Sequence, residues 1–507
     1  MRHCLPLLPL LGVLACFSSP VAAQPTSIRF IVRDYQTREL IPCRIHFKDA
    51  SGQPVRAPGL PFWRDHFVCP GEAAIILSPG DYTYEIERGP EYRPAGGKVT
   101  AAPGSADVSV DLLRLATLAR EGWWSGDLHV HRPVKDIELL MRAEDLHVAP
   151  VITWWNKQNP WRTETPPRVP LVLFDGNRAY DVMAGEDERE GGALLFFHLN
   201  GPLPVAGASR EYPSPMTFLA QARQQAGAWV DVEKPFWWDA PVWVASGQID
   251  SIGLANNHMC RSQMYESEAW GNARDTERLP APRGNGFWTQ EIYYHLLNCG
   301  LRLPPSAGSA SGVLPNPVGY NRVYVHLGRT FSHAAWWEGL RAGRSFVSNG
   351  PLLRCRANGK LPGHIFRAPA SRDLTVKLDV ALDSNDAIPF IEVIVNGRVE
   401  RQVPYAEWKR TGSLGELRFR EPGWFLVRAV ADNAKTFRFA STAPFYVEHG
   451  GATARISRAS AQFFVDWVRE RMTRVKHDDA AQREEILRHH RAAERFWLEK
   501  VNAANAE

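Results

Sequence analysis

Cysteine is scarce: seven among 507 residues, none in CxxC spacing, which excludes a disulfide-dense scaffold. Cys4 and Cys16 fall in an apolar N-terminal segment, leaving Cys43, Cys69, Cys260, Cys299 and Cys355, an odd number. Cys43 and Cys69 could pair within the first domain or stay as buried thiols. Long apolar runs are lacking too. The N-terminal one is too short for a bilayer, and no later stretch approaches about 20 uninterrupted apolar residues, so no membrane span is expected. Nor does charge of one sign prevail. Fifty-nine basic residues face 55 acidic ones, a net +4, so neither nucleic acid nor an anionic membrane is indicated as a partner. No internal repeat or low-complexity tract occurs, and the length suits about three domains.

The chain opens MRHCLPLLPLLGVLACFSSPVAAQ, with Arg2 and His3 before an apolar run that ends in Val21-Ala22-Ala23. That order makes residues 1–23 a secretory signal cleaved near Ala23, and the expected location secreted or periplasmic. A lipid anchor through Cys16 is the alternative, although Val13-Leu14-Ala15-Cys16 is a poor lipobox. From 27 to 115, short apolar segments such as Ile28–Val32 and Arg44–Phe47 alternate with turns at Asp49–Gly52 and Pro79–Asp81, the pattern of a small β-sandwich. It resembles the transthyretin-like, carboxypeptidase-regulatory-like domains attached to secreted hydrolases, which implies a spacer, docking or carbohydrate-contact role.

Between 120 and 350, strand candidates (148–153, 193–198, 228–232, 249–254) alternate with helix candidates (134–146, 215–225, 287–298), which reads as an α/β barrel or sheet. From 351 to 447 strand signals return, with Asn396-Gly397 as a hairpin turn between apolar runs, so a second β-sandwich is expected. Residues 457–502 carry Phe464, Val468, Met472 and Val475, then Ile486, Ala493 and Trp497, at helical spacing, predicting a helical hairpin with His489 and His490 in solvent. The expected fold class is thus multidomain α/β plus β.

The stretch WWSGDLHVHRP, Trp123–Pro133, carries the chemistry. On a strand, residues two apart share a face, so His129 and His131 present two imidazoles to one side while Leu128 and Val130 enter the core. Imidazole is the commonest protein ligand for a transition ion, and Asp127 is placed to fix a ring's tautomer. Two solvated histidines at a strand end are the other reading. DLHVH resembles the opening motif of the PHP (polymerase and histidinol phosphatase) superfamily, and the downstream pattern is similar to its carbaryl-hydrolase (CehA/McbA) branch, over roughly residues 120–353. The resemblance implies a distorted (β/α)-barrel with two or three divalent ions at the strand C-termini, and hydrolysis of phosphate ester, carbamate, ester or amide bonds.

Carried over by that resemblance, Glu186 after Gly185, and His198 closing Leu194–Phe197, become metal ligands. A solvated acidic run, Glu186 to Glu190, competes for the first. Where the family has His or Asn before proline this chain has Glu233-Lys234-Pro235, so Glu233 is a candidate ligand or an ion-pair partner. His258 is a further candidate ligand or a hydrogen-bonded loop residue. Where the family closes its site with Asp-x-His, this chain reads Gly308-Ser309-Ala310-Ser311-Gly312, so a complete trinuclear site is not expected.

The expected cofactor is one or two divalent ions, zinc or manganese ahead of iron. With an open position, such an ion supplies hydroxide at neutral pH, and Glu233 or Asp231 is the candidate proton shuttle. Arg132, Lys157, Lys234 and Arg322 are candidate anion contacts or surface ion pairs. Among 18 tryptophans, Trp154, Trp155, Trp237 and Trp238, with Asn156 and Asn257, are candidate walls of the substrate pocket, core filling being the alternative. The sequence thus points to an exported metal-dependent hydrolase of an ester, amide or carbamate, acting on a small molecule or glycan. A metal-dependent phosphoesterase is one alternative, and a barrel that lost catalysis and binds carbohydrate is another.

Overall fold

The computed structural model describes residues 26–507; the expected leader, 1–23, with Cys4 and Cys16, lies outside the described residues. The molecule is a multidomain α/β plus β protein. Its N-terminal unit is built by strict alternation: in Thr26–Asp34, Ile28, Phe30 and Val32 point into a dry core while their neighbours point outward. A three-stranded sheet (Glu72–Leu77, Thr26–Asp34, Val108–Leu112) faces a five-stranded one (Phe62–Trp63, His66–Cys69, Cys43–Asp49, Gly80–Glu87, Ala95–Ala101) across that core.

The central unit starts at Trp123–Gly126. Val148–Trp154, Arg178–Arg189, Trp229–Val232, Ser251–Ala255 and Pro305–Ala307 run parallel to it, while Gly192–Phe197 is antiparallel to both its neighbours. The sheet then returns to its start. Leu128 donates to Ala307 O at 2.9 Å and His131 to Ser311 O at 2.8 Å, so the last strand's continuation pairs with the first strand's continuation. Strand proper ends at Gly126, four residues earlier than an uninterrupted strand to Val130 requires. Asp127–Arg132 is held instead by bridges from Val130 to Val151 and to Ser311. Helices Ile137–Ala143, Pro215–Arg223 and Gly284–Asn298 fall in the three expected segments.

The boundary expected at 350/351 divides the chain but not the sheet. Ser345–Ser348 pairs with Phe439–Thr442, so the central sheet runs on into Gly423–Val430, Phe390–Val395 and Arg398–Pro404 of the C-terminal β region. Asn396 (φ 48°) and Gly397 (φ 84°) make the two-residue turn between the last pair, both left-handed as a type I′ hairpin needs. Helices Arg458–Arg474 and Ala480–Asn502 form the hairpin, with Phe464 stacked on Trp497 at 4.4 Å. His490 is not in solvent as expected: it is 4% exposed and its Nδ1 lies 3.0 Å from Ile486 O, because this face of the helix packs on the barrel. No helix among the described residues is long and apolar enough to cross a membrane.

Candidate metal centre

Asp127 organises the stretch that carries the histidines. Its Oδ1 accepts from the His129 and Ser309 amides, both at 3.0 Å, and its Oδ2 from Gly319 at 2.7 Å. The carboxylate therefore ties three backbone segments together and does not reach an imidazole, contrary to the tautomer-fixing role expected of it. The strap 307–311 lies against 128–131 so closely that a Cβ at Gly308 would stand 2.5 Å from the His129 Cβ. At the expected Asp-x-His position, backbone contact replaces ligating side chains.

Glu186 reaches the same point from the long strand Arg178–Arg189. His129 Nε2 and His131 Nε2 are 3.0 Å apart, Glu186 Oε2 is 3.1 Å from His131 Nε2, and Glu186 Oε1 is 3.5 Å from His129 Nε2. Donors on a tetrahedron about 2.1 Å from a central ion are about 3.4 Å apart, so these separations are those of three ligands sharing one ion. The outer nitrogens, His129 Nδ1 and His131 Nδ1, are buried without hydrogen-bond partners. All three side chains are 3% exposed.

Electrostatics concentrates charge here. Burial opposes an imidazolium at His129, but Glu186 and Glu233 outweigh it and push the ring up to about 10. Burial instead prevails at His131, which moves down. The two Nε2 atoms face each other at 3.0 Å. Despite burial, Glu186 is held well below the usual carboxylate range by the two histidines.

Glu233 does not join the ligand set. Its Oε1 lies 3.5 Å from His129 Nδ1, while Oε2 pairs with Lys234 Nζ and accepts from Trp237 Nε1 at 3.2 Å. It thus backs the outer nitrogen of a ligating ring, the place expected for Asp127. Asp231, two residues earlier on the same face, accepts from the Ser251 and Ser306 hydroxyls, and burial pushes it up to about 7. Glu188, which the sequence reading left in the acidic run, lies two residues beyond Glu186 on the same face; burial and the Glu186 charge push it up to about 7. Its i, i+2 spacing was the available signal.

His198 is the principal correction. Leu195 stands opposite Glu186, and because Gly192–Phe197 is antiparallel, each further residue moves away from the cluster. Three residues on, about 10 Å along the strand, His198 packs on Trp337 at 4.4 Å and His333 at 5.6 Å at the opposite rim. His258 lies beside Phe236, Trp237 and Tyr265 with Nδ1 unpartnered; burial and Lys234 push it down to about 3, and it is outside the ligand cluster. The neighbouring Asn257 also buries an unpartnered Oδ1.

The expected pocket residues divide. Trp155 stands edge-on to His131 at 4.9 Å, and Trp237 lies under Lys234 Nζ at 4.4 Å, so both flank the cluster. Trp154 is fully buried, with Nε1 donating to Met183 O, and Trp238 packs against Trp467 and Arg474 of the helical hairpin; both are structural. Asn156 holds the acidic strand through Asp187 and the Glu188 amide, and Lys157 is exposed. Arg322 is 1% exposed and lines a cavity of about 80 Å³ between the sandwiches and the barrel. Trp270, 42% exposed and stacked on Trp237 at 6.1 Å, was not foreseen, since its loop carries no motif.

Among the described residues, two buried His/Asp/Glu clusters could hold a metal ion: this one, and His46, Asp65 and His66 in the N-terminal sandwich. Their chemistry differs. Arg44 Nε, always a donor, gives its proton to His46 Nε2 at 3.1 Å, so the ring's own proton sits on Nδ1, directed at Asp65 Oδ2 3.1 Å away. The second cluster is a closed hydrogen-bond network; the first has unpartnered nitrogens.

Fold and site together define a multidomain α/β plus β protein with a buried His–His–carboxylate cluster suited to a divalent ion. No family model matches the chain, and no curated protein does.

Proposed function

We propose that this protein is a metal-dependent hydrolase of the PHP type, acting on an ester, amide or carbamate. The observation that carries the reading is the convergence of His129, His131 and Glu186 on one point, their ligand atoms within 4.8 Å of one another. A bound divalent ion supplies a nucleophile by acidifying water and polarises the scissile oxygen. The chain's own groups do the rest. Glu233, anchored through Oε2 by Lys234 and Trp237, keeps Oε1 free to steady His129 and to take a proton. Trp155 stands beside His131, while Trp237 is buried between Lys234 and Trp270 and supports Glu233.

A phosphoesterase is the second reading, favoured by Arg132. This guanidinium, one residue after His131 in the chain, donates to Phe62 O at 3.3 Å, is 5% exposed, has no carboxylate within 4.0 Å among the described residues, and leaves Nη1 unpartnered, which suits an anionic substrate. Metal analysis of the purified chain, with His129→Ala and Glu186→Gln, tests the whole reading. Both variants should lose bound metal and at least about 100-fold in turnover of a panel of chromogenic esters, carbamates and phosphates. Wild-type metal content in both would sink it. Metal binding without metal-dependent turnover of any panel member would instead favour a carbohydrate-binding barrel, to be checked on a glycan array.

A further inference from the structure

Cys43 and Cys69 occupy directly opposed positions in the antiparallel pair Cys43–Asp49 and His66–Cys69. Opposed residues in such a pair have Cα atoms about 4.5–5.5 Å apart, inside the range a disulfide spans. Their Sγ atoms are 3.5 Å apart, so modest rotations about χ1 bring them to bonding distance. Both side chains are 0% exposed, and this is the one thiol–thiol contact among the described residues; Cys260, Cys299 and Cys355 lie singly on other elements.

We propose that Cys43 and Cys69 are joined by a disulfide in the folded protein, a staple across the sandwich sheet that faces the barrel. The segment it closes carries Phe62–Trp63, and that hairpin braces the metal-centre stretch: Trp63 Nε1 donates to Leu314 O at 2.8 Å and Arg132 Nη2 to Phe62 O at 3.3 Å. Nothing in this inference depends on the hydrolase reading.

The chemistry is thiol–disulfide exchange. One of the two cysteines, as its thiolate, attacks the disulfide of an oxidant, either oxidised glutathione or an oxidoreductase's protein disulfide, releasing one oxidant thiolate. The other cysteine, deprotonated, then attacks the first one's Sγ and releases the second. Two thiols are oxidised, one oxidant disulfide is reduced to two thiols, and no other co-reactant is needed. Because both sulfurs are buried in the folded sandwich, the exchange belongs to folding in an oxidising compartment.

The test is peptide mapping of the full chain produced in an oxidising compartment, denatured and alkylated without reductant. The expected result is one crosslinked peptide containing Cys43 and Cys69, about 2 Da lighter than the sum of its parts and separated by reduction. Reductant should also lower the Tm by at least about 4 °C, and leave a Cys43→Ala/Cys69→Ala variant unmoved. Quantitative alkylation of both cysteines in the unreduced wild-type chain overturns the proposal, whatever the variant's fate.

Discussion

His129 and His198 each follow an apolar strand closely, yet they end at opposite rims because Trp123–Gly126 runs parallel to Val148–Trp154 whereas Gly192–Phe197 runs antiparallel to both its neighbours. His198→Ala should accordingly keep wild-type metal content while His129→Ala loses it, measured by elemental analysis on matched preparations. Asp127 is important for a different reason from its neighbours. Asp127→Ala strands three buried amides and should cost on the order of 3 kcal/mol or more in chemical denaturation. Titration at this scale is carried by buried neutral histidines away from the cluster. Burial, with Arg178 and Arg322 nearby, pushes His147 down to about 3 although Asp145 pulls the other way. Unfolded, the ring takes a proton near pH 6.5. Its contribution is present above pH 6.5 and is lost as pH falls toward 3, on the order of 4 to 5 kcal/mol in full. Urea midpoints between pH 8 and 4 should fall with acid, and less steeply in His147→Gln; an identical slope in the variant would refute this.

The strap 307–311, packed on His129, and the strand Arg178–Arg189, which carries Glu186, fix the cluster through glycines that leave no room for a side chain. A Cβ at Gly185 would meet Trp154 Cε2 at 2.0 Å, and one at Gly308 would press on His129. Gly308→Ala should therefore retain the circular dichroism of the wild type while losing metal affinity by about tenfold or more, the cost of misplacing a ligating ring. An undiminished affinity would show that the strap yields. Element existence was legible in apolar periodicity: Val148–Trp154, Gly192–Phe197 and Pro215–Arg223 lie where the apolar patterns put them. Strand direction was not, because an apolar run reads the same in either orientation.

Across the molecule, buried ion pairs reinforce the joins made by the shared sheet and the shared apolar core. Arg471, 1% exposed on the helical hairpin, bonds Asp239 and Glu211 of the barrel, while Arg44 of the sandwich pairs with Glu144. Arg471→Met would leave two carboxylates buried with only Arg210 and His490 beside them, costing about 3 to 5 kcal/mol. Limited proteolysis should then release residues 457–502 first; simultaneous loss of the whole chain would mean the hairpin and barrel unfold as one. The sequence alone determined the three β and α/β regions, the helical hairpin and the His129–His131 pair, since each depends on periods of two or 3.6 residues along a local stretch. The resemblance put Glu186 forward and the tertiary structure brings it to that pair; tertiary structure alone decided that Glu233 backs the pair and that His198 does not reach it. It also ran one sheet through two domains and buried His490 against the barrel. These outcomes depend on strand direction and on sheet closure between residues far apart in the chain, which no local period encodes.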